Sequence, residues 1–416
     1  MDSKQYIHMF DRKLKGSLLI IMLYVFLCNL RLPWVEQSTA NLTFMLPMEK
    51  IFGITQPPDY GVSLMALGLG PWLRARILVQ LGFMLFGIKG EAARKSEQIS
   101  NLFTLVFACV SAFGLMQRLS GPENIPAVLW KTSTIFNLVA GVFLVVWLAQ
   151  NNQLYGIGGS SLLVLINIIR NQSLQLFQGR EYIESLYPIL KMGGAVWLGI
   201  ALFILAVLLI MVLLETTRIR LPVHHVMLHS SQMGENYMAL KLNPAGAMPV
   251  MFSSVVYEVL YLLIRFLSGL FPNAEALAWL AQYTSLQYIG GIVLFLLVFI
   301  LLSLLFSLVS VNPKETAETM QQSGDYLVGV RPGRDTQRYL KRTLLISGGF
   351  SAAVMCVLLA VPMLMNIRFG GGNMQSPIVS LVILVGIVLQ IIEEARMLLL
   401  FKSYKTLTGA EVISGD

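Results

Sequence analysis

Charge is scarce in this sequence: Asp, Glu, Lys and Arg together make up 12% of its 416 residues. Ordinary soluble domains carry about a quarter, so that class is excluded at once. Histidine is rarer still, and His8, His224, His225 and His229 all lie outside the long apolar runs. No His-Glu-x-x-His occurs and no Gly-x-Ser-x-Gly, so a buried acid, base or nucleophile set is lacking and enzyme readings fare badly. GIGGSS at 156–161 has no Lys-Ser/Thr after it and is not a phosphate loop. Cys28, Cys109 and Cys356 each sit inside an apolar run. An odd number of such cysteines supports neither a disulfide framework nor a metal cluster, and they read as small buried hydrophobes. No metal and no cofactor is expected.

What the chain has is apolar length. It is 56% hydrophobic, with a mean hydropathy of +0.70, and runs long enough to cross a bilayer recur throughout. About ten spans are expected, near 17–36, 63–88, 101–119, 133–150, 160–178, 194–215, 248–271, 287–311, 343–366 and 376–401. The first sixteen residues are polar and basic, and the run behind them is long enough to stay in the membrane, so no cleaved signal peptide is expected. An even number of spans puts both termini on one side. Most Lys and Arg then collect with the termini, which makes that side cytoplasmic by the positive-inside tendency. Scattered over loops, the formal charge of +8 fits membrane orientation better than nucleic acid.

One run departs from a simple anchor. GVSLMALGLGPWLRARILVQLGFMLFG, residues 61–87, carries Gly68, Gly70, Pro71, Arg74 and Arg76 in its middle. Proline removes a backbone donor and kinks a helix, and charge at membrane depth needs protein or water around it. The segment is expected to be a kinked helix lining something wet. Pro249 interrupts a run in the second half as Pro71 does in the first, and five spans per half would invert one half relative to the other. Glu258, Glu393, Glu394 and Arg396 lie in or near spans, with Glu393 and Arg396 one helical turn apart as a local pair.

Three connections are longer than links. Residues 32–60 contain NLTFMLPMEKIFGI, too short to span, either re-entrant or interfacial. Residues 216–243 place strand formers on both sides of SSQMGE and predict a protruding hairpin. Residues 311–342 contain VRPGRDTQRYLKR, an Arg-Pro-Gly turn followed by a basic helical start. From the residues alone, a secondary transporter with inverted repeats and a protein channel stand level.

Four pieces, in order, resemble the SecY family of Sec translocon channels: SLMALGLGPWLRARILVQL its second span, WLAQNNQLYGIGGSSLLVL the end of its fourth through the start of its fifth, LKLNPAGAMPVMFSS the start of its seventh, and VRPGRDTQRYLKR the loop before its ninth. The resemblance implies an all-α polytopic membrane protein in two inverted five-helix halves around a central pore: residues 1–178, an external hinge at 179–193, and 194–416 with cytoplasmic loops 216–247 and 312–342. An apolar pore ring would fall on Leu69, Leu73, Leu165, Met251, Val255 and Ile383. Phe44, Met45, Leu46, Ile51, Phe52 and Ile54 would belong to a plug within about 41–60. A lateral gate would open between spans two and three on one side and seven and eight on the other.

Arg218, Arg220, Arg331 and Arg334 would contact a SecA-type motor ATPase. Further implied partners are a secretory preprotein with its signal peptide, SecE- and SecG-like or accessory small subunits, and membrane lipid. Arg74 and Arg76 replace the family's usual small polar residues, and Gly159-Ser160-Ser161 stands where an Asn-Gly pair is usual. The departures are similar to the accessory SecY of Gram-positive bacteria, which exports serine-rich adhesins. Both arginines are then expected in the cytoplasmic funnel.

Overall fold

The computed structural model describes residues 3–32, 63–85, 96–117, 119, 126–177, 194–225, 237–271, 274–369 and 377–411. The expected plug residues, Phe44 to Ile54, lie outside them. The chain divides into two compact units, 1–185 together with 387–416, and 186–386.

The first unit holds α1 (Ser3–Asn29), α2 (Gly70–Leu85), α3 (Ser96–Met116), α4 (Ala127–Tyr155) and α5 (Ser161–Phe177). Helix α3 explains its own packing. Ser100, Thr104, Ala108, Ala112 and Met116 recur every fourth residue and are buried, so a strip of small side chains lets its neighbours approach closely. Leu102, Phe103, Val106, Val110 and Phe113 face outward. A soluble helix would reverse this pattern, whereas a helix whose far side meets lipid would not.

The helix expected across 63–88 begins only at Gly70. Residues 64–69 form successive turns, with the Ala66 amide bonded to the Ser63 carbonyl at 3.0 Å and that of Gly68 to Met65 at 2.8 Å. Gly68 takes a φ of +53°, which an L side chain resists. Pro71 therefore starts a helix instead of kinking one, because the first turn needs no amide from it. The turn stretch is largely covered, with Met65, Leu67, Gly68 and Leu69 buried and Leu64 and Ala66 half-buried. Its Leu64 amide bonds the Leu30 carbonyl at 2.9 Å, and Leu64, Ala66 and Leu67 pack with Ala108, Ala112, Leu138 and Val142 of α3 and α4.

The second unit holds α6 (Gly194–Thr216), β1 (Arg218–His225), β2 (Tyr237–Lys241), α7 (Met248–Leu270), α8 (Glu275–Tyr283), α9 (Ile289–Val311), α10 (Pro313–Ser323), β3 (Asp325–Leu327) and α11 (Arg334–Phe369). The last helix, α12 (Pro377–Glu411), contributes to both units. The hairpin expected in 216–243 is present, pairing Arg218 with Lys241 and Pro222 with Tyr237. A third strand was not legible in the sequence. β3 pairs antiparallel with the other edge of β1, Val223 opposite Leu327 and His225 opposite Asp325, giving the order β2-β1-β3. The two long loops thus form one small sheet beneath which Leu221, Leu240, Leu327 and Leu340 make a core of their own.

Among the described residues, five helices are long and apolar enough to cross a membrane. Three further long helices start at 161, 194 and 377 against expected span starts of 160, 194 and 376, whereas α1 starts at 3 and ends at 29 against an expected 17–36. Of the cysteines only Cys28 is buried; Cys109 is exposed and Cys356 half-covered. Cys109 departs from expectation because its apolar neighbours on α3 face outward too.

Gly141 of α4 supports the turn stretch, since a Cβ there would meet the Leu64 carbonyl oxygen. Gly141→Leu should destabilise the protein by about 1–3 kcal/mol through overpacking, read as a lower melting temperature in detergent, while Gly114→Leu, which would meet open space, should not.

Candidate functional site

The head of α2 gathers the residues singled out in the sequence. Leu73 bonds the Leu69 carbonyl at 2.9 Å, so Leu69 adjoins the first turn although it precedes the helix. Both are buried. The next residues diverge. Arg74 is only 3% exposed and its guanidinium donates to Ser111 Oγ of α3 at 3.3 Å. A charged group at that depth needs such partners, and Arg74 therefore points at a neighbouring helix instead of the open funnel expected for it.

Arg76, two residues on, is half-exposed and faces elsewhere. It donates to Ser160 Oγ at 3.3 Å and lies over the Trp72 ring at 5.2 Å. Trp72 sits one turn earlier, where i and i+4 side chains meet. Planar guanidinium against indole is a favourable cation–π geometry.

Ser160 belongs to the glycine-rich loop, and that loop is built around Asn152. The α4 chain ends at Tyr155, after which Gly158 and Gly159 take φ of +79° and +51°. Fully buried Asn152 donates from Nδ2 to the Ile157 carbonyl at 3.2 Å and to the Gly159 carbonyl. From α1, Ser17 Oγ accepts the Ile157 amide at 2.7 Å. These groups satisfy backbone that has left the helix. Neither Ser17 nor Asn152 was singled out beforehand; the signal available was an Asn within one turn of a Gly-x-Gly-Gly break. Leu165, the remaining ring candidate of this unit, is half-buried on α5.

In the second unit the approach to α7 repeats the device. Asn243 Nδ2 donates to Glu215 Oε1 at 3.0 Å and to the Gly246 carbonyl at 3.2 Å. Gly246 has a φ of +63°, and Pro249 falls in the first helical turn. As with Pro71, an interruption read from the sequence is a helix start. Met251 is half-buried and Val255 fully buried, four residues apart on one face. Ile383 is fully buried on α12, one turn from Gly386, where a Cβ would meet Ala247 at the mouth of α7. Glu258 is nearly inaccessible on α7.

The sheet presents a different chemistry. Along β1, Ile219, Leu221 and Val223 turn toward the small core while Arg218, Arg220 and His224 stand exposed, the alternation a half-buried strand requires. Arg220 lies over Tyr237 at 4.8 Å, and His224 stacks on Tyr326 of β3 at 5.7 Å. Arg331 and Arg334 are exposed as well. Thr336 Oγ1 donates to the Arg331 carbonyl at 2.9 Å, and Gly333 between them takes a φ of +95°, which fixes the turn that presents both side chains. The structure therefore puts Arg218 and Arg220 on a strand paired with the one that leads into the Arg331 turn. No group of three or more His, Cys, Asp or Glu that would hold a metal occurs among the described residues.

Comparison with known proteins adds a further observation. A family model described as SecY matches residues 63–392. The accessory Sec system protein translocase subunit SecY2 of Streptococcus agalactiae serotype III is 26% identical over 349 residues, covering 82% of this chain and 82% of its own. The subunit of the same name from Streptococcus gordonii is 25% identical over 415 residues, covering 95% and 97%. Among solved structures, one described as a protein conducting channel aligns with a TM-score of 0.61 at 17% identity, covering 94% of this chain and 93% of that one. Sec61 in the canine ribosome-channel complex aligns at 0.53 and 16%, with coverage of 94% and 93%. At these identities the structural likeness speaks to fold.

The shared core predicts coupling between the two loops. Leu221→Asp would bury a carboxylate among Leu240, Leu327 and Leu340, costing several kcal/mol. Limited proteolysis should then cut both 218–241 and 311–334 faster than in the wild type, although only one loop was altered.

Proposed function

The chain belongs to the SecY family, and on that footing we propose that it is the channel subunit of a Sec-type protein translocase in the cytoplasmic membrane. The observation that carries this is the reach of the family match, from the turn stretch before α2 into the first half of α12. On this reading the layout is ten spans in two inverted halves, 1–178 and 194–416, joined through 179–193, with both termini cytoplasmic. Leu69, Leu73 and Leu165 of one half and Met251, Val255 and Ile383 of the other form the pore ring, and a segment around 41–60 is the plug.

The physics of such a ring suits the task. Leu, Met, Ile and Val side chains exclude water and ions by dewetting, yet deform around a passing chain without reading its sequence. A sideways exit favours apolar signal segments, since their burial in lipid is worth roughly 25 cal/mol per Å². The buried apolar residues at both helix starts support a seal over the solute site that a transporter would need at this place.

Driving force is assigned to a SecA-type ATPase that docks on the sheet and the Arg331 turn, contacting Arg218, Arg220, Arg331 and Arg334. SecE- and SecG-like or accessory small subunits complete the complex. The relatives' names support an accessory system, and on the resemblance carried by the two arginines after the ring its cargo is assigned as a serine-rich glycoprotein adhesin. Of these arginines Arg76 is the one assigned to the cytoplasmic funnel, because Arg74 is engaged by α3.

Site-specific crosslinkers at Leu73 and Met251 should capture a stalled secretory preprotein in membranes supplied with the motor ATPase and ATP, and only then. Absence of crosslinks with a captured preprotein and an active motor would sink the channel reading. Arg76→Ser, which loses the contacts to Ser160 and Trp72, should reduce adhesin export severalfold and weaken crosslinks at that position; unchanged export would remove Arg76 from the conducting path.

A further inference from the structure

In the second unit α7 leaves the sheet, α9 returns to it, and α8 bridges their far ends. Helix α8 turns its apolar side outward. Trp279 is 59% exposed, Leu280 44% and Tyr283 42%, with Leu270 and Ile289 exposed on the flanking helix ends. None of the nine residues of this helix is fully buried, and only Leu277 and Ala281 are half-buried, yet it is firmly held. The Tyr257 hydroxyl of α7 donates to the Thr284 carbonyl. A Cβ on Gly290 would stand 2.9 Å from the Tyr283 carbonyl oxygen, and one on Gly291 would meet the Ser285 carbonyl, so only glycine lets α9 come this close.

The exposed rings are also ordered among themselves. Trp279 and Tyr283 lie 4.5 Å apart, Tyr283 and Tyr288 5.3 Å, and Gln282 Nε2 donates to the Tyr288 hydroxyl at 3.0 Å. Rigid aromatic side chains with an apolar body and a polar edge are what the headgroup level of a bilayer selects. The outward residues at the ends of α7 and α9 place that level beside α8, because the lipid-facing surfaces of both helices run into it.

We propose that α8 is an interfacial lipid anchor: its Trp279, Leu280 and Tyr283 face lies in the headgroup–acyl boundary of the leaflet remote from the sheet, and fixes the height of the α7–α9 pair in the bilayer. Phospholipid is the occupant because the face continues two outward apolar surfaces, Leu263, Phe266 and Leu270 of α7 and Ile289, Val293 and Leu297 of α9. The inference needs only that these helices span the membrane, and holds whether or not the protein conducts polypeptide.

Trp279→Phe isolates the emission of this one indole by difference, with the full-length protein in phosphatidylethanolamine–phosphatidylglycerol vesicles. The difference signal should lose most of its intensity when the vesicles carry phosphatidylcholine brominated near the headgroup, less with bromines near the chain ends, and little with aqueous iodide. Strong iodide quenching without bromolipid quenching would overturn the proposal by placing the face in water. Protection from both quenchers would overturn it equally, by showing that protein covers the face. Leu280→Cys, labelled with a nitroxide in a background lacking the native cysteines, gives an independent reading: the label should be more accessible to oxygen than to a water-soluble nickel complex, and the reverse order would count against the anchor.

Discussion

Backbone polar groups have no water to turn to inside a membrane, and each one left without a partner there costs several kcal/mol. The chain meets this constraint most visibly where it is not helical. Residues 64–69 bond among themselves and to Leu30 while α3 and α4 cover them. The 156–160 loop draws on Asn152 and Ser17, from two helices distant in sequence, and the α7 approach draws on Asn243 and Glu215. Each irregular piece is a helix start, and the second and third have a polar side chain assigned to them. The proposed ring residues Leu69, Leu73, Met251 and Val255 stand within two turns of such starts, so the bonds that keep the backbone satisfied also set their positions.

The sheet follows from a related need outside the apolar helices. Two loops that protrude without support would carry open strand edges and little apolar area. Pairing β3 onto β1 closes one edge, and Leu340 from the first turns of α11 closes the small core from beneath. The result is a mixed surface, apolar within and carrying Arg218, Arg220 and Arg331 without. The backbone that carries these three arginines is fixed by one sheet and one turn, which lowers the ordering cost of binding any charged partner there.

Much of the fold was legible because membrane helices announce themselves by length and composition. α7, expected to begin at 248, begins there, and the 216–243 hairpin was readable from its strand formers and turn. The failures share a cause. Pro71 reads as a kink in the sequence because hydropathy runs unbroken through 63–69, and nothing in composition distinguishes covered turns from helix. β3 is three residues long and pairs with a strand about a hundred residues away, a contact set by tertiary geometry alone. Arg74 and Arg76 look equivalent in sequence, yet a helix turns about 200° between them, which sends one to Ser111 and the other to Ser160. The outward face of α8 was missed because ALAWLAQY is too short to register as a span.

The buried polar residues of the second unit bear on what that unit can do. Ser253, Ser254, Ser303, Ser307, Ser347 and Ser351 are all nearly inaccessible, and a row of hydroxyls in membrane helices invites a reading as a hydrophilic path. Their bonds argue otherwise. Ser253 and Ser254 both donate to the Val250 carbonyl, at 2.9 and 2.8 Å, and Ser351 donates to that of Gly348 at 3.0 Å. A hydroxyl turned back on its own helix offers little to a passing solute. Ser307 instead serves by its size, packed where a Cβ on Gly348 would strike it, so that α9 and α11 approach as small residues permit. These serines let helices approach closely, and the sheet carries Arg218, Arg220 and His224 where a partner from water can reach them.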